Sequence, residues 1–108
     1  MATKVNLVID QGATFQTAIT FADENDNPIN FSTYTGTAQI RKHYSSSNAT
    51  NFSVGLNSSG IVTLSLTANQ TANLVSGRYV YDLEVVDSSN VISRLIEGIV
   101  TVTPQVTR

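Results

Sequence analysis

The chain holds 108 residues, 41% of them hydrophobic and only 13% charged, with a net charge of −2 and no cysteine. That length suits one domain with a modest core, and the composition excludes disulfides and thiolate metal sites. Lys and Arg total 6, too few and too scattered for phosphate neutralisation along a nucleic acid; no apolar run approaches the roughly 18 residues of a membrane span.

Ser, Thr and Asn supply a third of the chain, so the surface is hydrated by neutral hydrogen-bonding groups and is weakly steered by long-range fields. The opening Met1-Ala2-Thr3-Lys4 has no basic stretch followed by an apolar one, so no leader peptide and synthesis in the cytoplasm are expected. Val5, Leu7 and Ile9 then alternate with polar neighbours, which predicts a first strand over Lys4–Asp10. Gln11-Gly12-Ala13 punctuates it, with Gly12 suited to a left-handed turn. A second strand is predicted over Thr14–Ala22, with Phe15, Thr17, Ile19 and Phe21 on one face. Asp23–Pro28 is a loop, because Pro28 fixes its own φ and pushes Asn27 to extended geometry.

Ile29–Tyr34 reads as a short edge strand or as a packed loop. A third clear strand covers Thr37–Lys42, with Ala38 and Ile40 inward. The Ser/Asn/Thr-rich Tyr44–Asn51 is expected to be a mobile loop, leading to a strand over Phe52–Leu56, a turn at Asn57–Gly60 and a strand over Ile61–Leu66 with Val62, Leu64 and Leu66 inward. Thr67 followed three residues on by Gln70 is a capping-box signal, which predicts one or two helical turns up to Leu74. From Gly77 the alternation returns: Tyr79, Tyr81, Leu83 and Val85 fall on one face of a strand, Arg78, Asp82 and Glu84 on the other. The turn cluster Asp87–Asn90 and the β-rich run Val91–Val102 complete a long antiparallel hairpin. Thr103–Arg108 is expected to be an extended, loosely held tail. About seven short strands with one helical turn predict an all-β, immunoglobulin-like antiparallel sandwich, a single domain over residues 1–108; a small barrel is the alternative closure.

Each chemistry-bearing group has a plain structural account. His43 is the sole histidine and sits at a strand end with Arg41 and Lys42, so it reads as a solvated side chain rather than a catalytic base. Asp23–Asn27 packs three carboxylates and two amides into five residues, the oxygen donors a calcium ion takes, but lacks the glycine and distant glutamate of an EF-hand loop; turn chemistry explains it. Asp82 and Glu84, two apart on one strand face with Glu97 and Arg94 on the paired strand, could in principle run glycoside hydrolysis; a cross-strand charge network is the simpler reading. Tyr34, Tyr44, Tyr79 and Tyr81 could stack on sugars, although Tyr79 and Tyr81 fit better in a core. Five N-x-S/T triplets, at Asn30, Asn48, Asn51, Asn57 and Asn69, are what chance gives in such a chain. No catalytic, cofactor-binding or metal-ligating residue is therefore expected.

A set of motifs adds to this. Gln11-Gly12-Ala13-Thr14-Phe15, Asp26-Asn27-Pro28-Ile29-Asn30-Phe31 and Ala38-Gln39-Ile40-Arg41 are followed by Gly60–Thr67, Gln70-Thr71-Ala72, Gly77–Glu84 and Arg94–Val100. In their order and spacing they resemble the small β-sandwich domains of tailed-bacteriophage virion proteins, among them the amino-terminal domains of upper baseplate proteins and related tail-fibre and structural proteins of marine phages. The resemblance implies a non-enzymatic virion part, tail-, baseplate- or neck-associated and present in many copies, whose partners are other virion proteins and further copies of itself. No cofactor is expected, and on the charge and hydropathy grounds above neither a nucleic acid nor a membrane is an expected partner. A capsid decoration protein is the alternative within that class. Met1–Lys4, Thr103–Arg108 and the strand edges are the expected docking elements, with Tyr44–Asn51 a further contact. A glycan-binding module is the alternative from another class, with a concave patch formed by Tyr34, Tyr44 and the Asp23–Asn27 loop.

Overall fold

Apolar side chains at every second position leave one dry face per strand, and two such faces close on each other. The computed structural model describes residues 3–107. The strands are β1 (Thr3–Lys4), β2 (Leu7–Asp10), β3 (Phe15–Thr20), β4 (Thr35–Arg41), β5 (Thr50–Asn51), β6 (Ser53–Leu56), β7 (Ile61–Leu66), β8 (Gly77–Val86) and β9 (Ile92–Thr103), with one helix, α1 (Ala68–Ala72). One sheet runs β9-β8-β4-β5 with β1 and β2 both on the far side of β9; the other runs β3-β7-β6. Ile9, Ile40, Leu83, Ile96 and Val100 of the first sheet and Val62, Leu64 and Leu66 of the second are buried between them. The chain is an all-β sandwich with one short helix, as the period-two pattern predicts.

Nine strands stand among the described residues where about seven were expected. The first predicted strand is two. β1 and β2 share one register on β9, with Thr3 beside Ile96 and Leu7 beside Val100. Between them the Asn6 side-chain oxygen takes the Ile99 amide at 3.1 Å in place of a main-chain carbonyl. Gly98 faces this break, and a β-carbon there would collide with the Val5 carbonyl oxygen. β1 and β2 run parallel to β9, a pairing the antiparallel expectation did not contain. The added strand β5 pairs Asn51 with Gln39, inside the segment expected to be a mobile loop; Arg41 also holds that loop by donating to the Ser46 carbonyl at 2.6 Å.

The helix forms as its cap predicts. The Thr67 hydroxyl accepts from the Gln70 amide at 3.2 Å and the Gln70 side-chain oxygen accepts from the Thr67 amide at 2.9 Å. Thr71 is fully buried. Its hydroxyl donates to the Ala13 carbonyl at 2.8 Å and accepts from the Gly12 amide at 3.0 Å, which ties α1 to the β2–β3 turn. Gln11 extends the tie, donating to the Leu74 carbonyl at 2.8 Å and accepting from the Gln105 amide at 2.9 Å. Of the expected loose ends, Thr3 and Lys4 pair with β9 and Gln105 is bonded to Gln11; Met1, Ala2 and Arg108 lie outside the described residues. Ile29–Tyr34 resolves as a packed loop, with Phe31 buried and its ring edge-on to Tyr34 at 5.2 Å.

Candidate functional site

The residues singled out for chemistry are dispersed. His43 is exposed in a tight turn, its amide donating to the Ser46 hydroxyl at 3.0 Å. In the Asp23–Asn27 loop, Asp23 accepts from the Asn25 and Asn27 amides at 2.9 and 3.0 Å, and Asp26 takes a φ of 63°; its first carboxylate is spent on the turn itself. Among the described residues no three His, Cys, Asp or Glu side chains converge as metal ligands.

The four tyrosines make no platform. Tyr81 is in the core, with its hydroxyl donating to the Val5 carbonyl; burial pushes its pKa from 10.0 up to about 12. Tyr79 donates to the Val75 carbonyl at 2.6 Å and carries the Lys42 ammonium 4.8 Å above its ring. Tyr34 precedes β4 and Tyr44 follows it, so the seven residues of β4 separate them by roughly 23 Å. The Asp23–Asn27 loop is at the Tyr34 end, since the neighbouring Phe21 ring meets Phe31 at 6.2 Å. The concave patch of Tyr34, Tyr44 and this loop is therefore not assembled.

What does assemble is a polar ladder on the outer face of the larger sheet. Register places Asn51, Gln39, Asp82, Glu97 and Lys4 side by side across five strands. Asp82 and Glu97 are like charges directly opposite, a destabilising arrangement unless bridged. Arg94 bridges them, 3.4 Å from Asp82 and 3.5 Å from Glu97. Arg94 and Glu97 are three apart and would point to opposite faces of a regular strand. A bulge puts them on one face: Leu83 pairs with Ile96 and Glu84 with Arg94, leaving Leu95 extra. With the exposed Tyr44 also lining it, this ladder borders an open groove of about 360 Å³. A second cleft, about 500 Å³, opens at the sandwich end between Lys42, Ser46, Asn48, Asn73 and Tyr79.

The other candidate surface is the free edge of β3. All six of its residues are in register with β7. The Phe21 amide donates to the Gly60 carbonyl at 2.8 Å, continuing that register. Antiparallel bonding alternates, so Phe15, Thr17 and Ile19 aim their main-chain groups at β7, while Gln16, Ala18 and Thr20 aim theirs outward. Among the described residues those outward groups meet no other segment. From Gln11 to Ala22 no residue is charged and none is proline, so the usual devices that blunt an edge are missing. Phe15 and Ile19 are only half-buried beside it. Alternation marks the strand but not which side of it stays open, because that depends on the sheet order.

No family model matches the chain and no curated protein matches it. Among solved structures, a family 123 glycoside hydrolase from Clostridium perfringens, described for glycolipid glycan hydrolysis, is similar over 97% of this chain at 14% identity and a TM-score of 0.44. The chain spans 24% of that enzyme's length, and a likeness at this level carries no argument about activity.

Proposed function

We propose that this chain is a non-enzymatic structural part of a bacteriophage virion, tail-, baseplate- or neck-associated, that docks on neighbouring virion proteins through strand edges and chain ends. The observation that carries the reading is the uncharged, unpaired β3 edge, whose outward amides and carbonyls are built to accept a further strand. The ordered run of motifs shared in kind with phage sandwich domains supports the virion setting. A surface hydrated by Ser, Thr and Asn rather than by charges suits packing against many neighbours without long-range repulsion. Cryo-microscopy of the particle tests the reading: repeated copies of the sandwich in the tail, baseplate or neck support it, copies confined to the capsid shell favour a decoration role, and particles without the chain end it.

The exposed Tyr44 ring beside the Gln39–Asp82–Glu97 ladder favours a second reading, a glycan-binding module of a host-recognition apparatus. Binding of the purified chain to a glycan array, lost in Tyr44→Ala, would support it over the first.

A further inference from the structure

We propose that two copies of this chain join through β3, edge to edge and antiparallel, to make one continuous six-stranded sheet β6-β7-β3-β3-β7-β6. The inference rests on the edge-docking reading and names both the edge and its occupant.

The choice of edge follows from comparing those available. β5 has two residues and β6 four, with Gly55 in its middle. The β1–β2 side is interrupted at Val5–Asn6, where a side chain replaces the main-chain acceptor, and it carries Lys4 and Asp10. β3 alone offers six unbroken residues without a charge, a proline or a bulge. Three outward-pointing residues, Gln16, Ala18 and Thr20, hold the free donors and acceptors.

The choice of occupant follows from symmetry. A two-fold axis perpendicular to the sheet keeps both inner faces on one side, so even-numbered residues must pair with even-numbered ones. Centred on Ala18, the register sets Ala18 against itself and Gln16 against Thr20, and closes about six main-chain hydrogen bonds. Every residue brought to the axis is neutral, so the self-contact meets no like-charge penalty. On the inner face the same register sets Phe15 against Phe21 and Thr17 against Ile19, which would cover the half-exposed rings at the open flank. An isologous contact of this kind is closed at two copies.

The chain has no cysteine, so a single introduced thiol reports the contact cleanly. The hydrogen-bonded pair at Ala18 would hold α-carbons about 5.5 Å apart, within disulfide range. Oxidised Ala18→Cys should cross-link to a covalent dimer, whereas Thr63→Cys, one strand farther from the axis on each copy, should not. Sedimentation velocity should show concentration-dependent dimerisation of the unmodified chain, weakened several-fold in Ala18→Lys, and the amides of Gln16, Ala18 and Thr20 should gain exchange protection as concentration rises. Sedimentation as a monomer up to about 1 mM, with those amides unprotected, overturns the proposal. So does a dimer indifferent to Ala18→Lys and not trapped by Ala18→Cys, since it would use another surface. Particles lacking the chain would end the virion reading and leave a β3 dimer standing; a monomer found in many virion copies would do the reverse.

Discussion

Tyr81 concentrates several effects in one side chain. Its ring meets Phe52 edge-on at 5.9 Å and its hydroxyl holds the Val5 carbonyl, so it is both core and clasp for the first strands. Tyr81→Ala should cost about 3–5 kcal/mol, and Tyr81→Phe about 1–2 kcal/mol through the unpaired carbonyl, both read from urea melts. The pH dependence has a definite sign. The unfolded phenol ionises near 10 and the folded one near 12, so between those values the unfolded chain binds fewer protons and stability falls as pH rises. The difference between the native chain and Tyr81→Phe should be constant below pH 10 and shrink from 10 to 12. Thr71 is the other critical residue: Thr71→Val orphans the Gly12 amide and should cost about 1–3 kcal/mol, while Thr71→Ser, which keeps the hydroxyl, should cost less. Tyr81 was legible in the sequence because alternation alone assigns its face. Thr71 was not, because the partners that bury it are 58 and 59 residues away and a threonine in a five-residue helix carries no mark of burial.

The strands themselves were legible wherever apolar and polar residues alternate, as in β7 and β8, and the turns wherever Asn, Asp and Gly cluster. Strand β5 and the parallel pairing of β1 and β2 escaped, and so did two local irregularities. The break between β1 and β2 is accommodated by Gly98, ninety-two residues from Asn6, and nothing local to Val5 announces it. The bulge in β9 is hidden because Leu95 and Ile96 are both apolar, so the pattern offers no point at which the parity changes. Both have testable consequences. Gly98→Ala should displace the first strands from β9; faster hydrogen exchange across Thr3–Asp10, with β7 amides still protected, is the expected outcome. Arg94→Ala leaves Asp82 and Glu97 facing each other without a cation. Because Arg94 is half-exposed, the expected loss is at most about 1 kcal/mol, and it should diminish in high salt. The open side of β3, the centre of the docking reading, was illegible for a different reason: a sequence can declare a strand, but only the assembled sheet order declares which strand has one neighbour.

At the scale of the whole molecule the body measures 45 × 27 × 19 Å, and its long axis gives the parallel pairing of β1 and β2 with β9 a mechanical meaning. Thr3 lies beside Ile96 and Asp10 beside Thr103, so the polypeptide enters the sandwich at one pole and leaves at the other. Tension applied between Thr3 and Thr103 would drag these strands past each other along their length, loading the whole row of cross-strand bonds in shear at once rather than unzipping them singly. In single-molecule pulling between these two positions, rupture should require markedly more force than in Gly98→Ala, where the row is already loosened. Wiring of this kind would set many cross-strand bonds at once against a pull between those two positions.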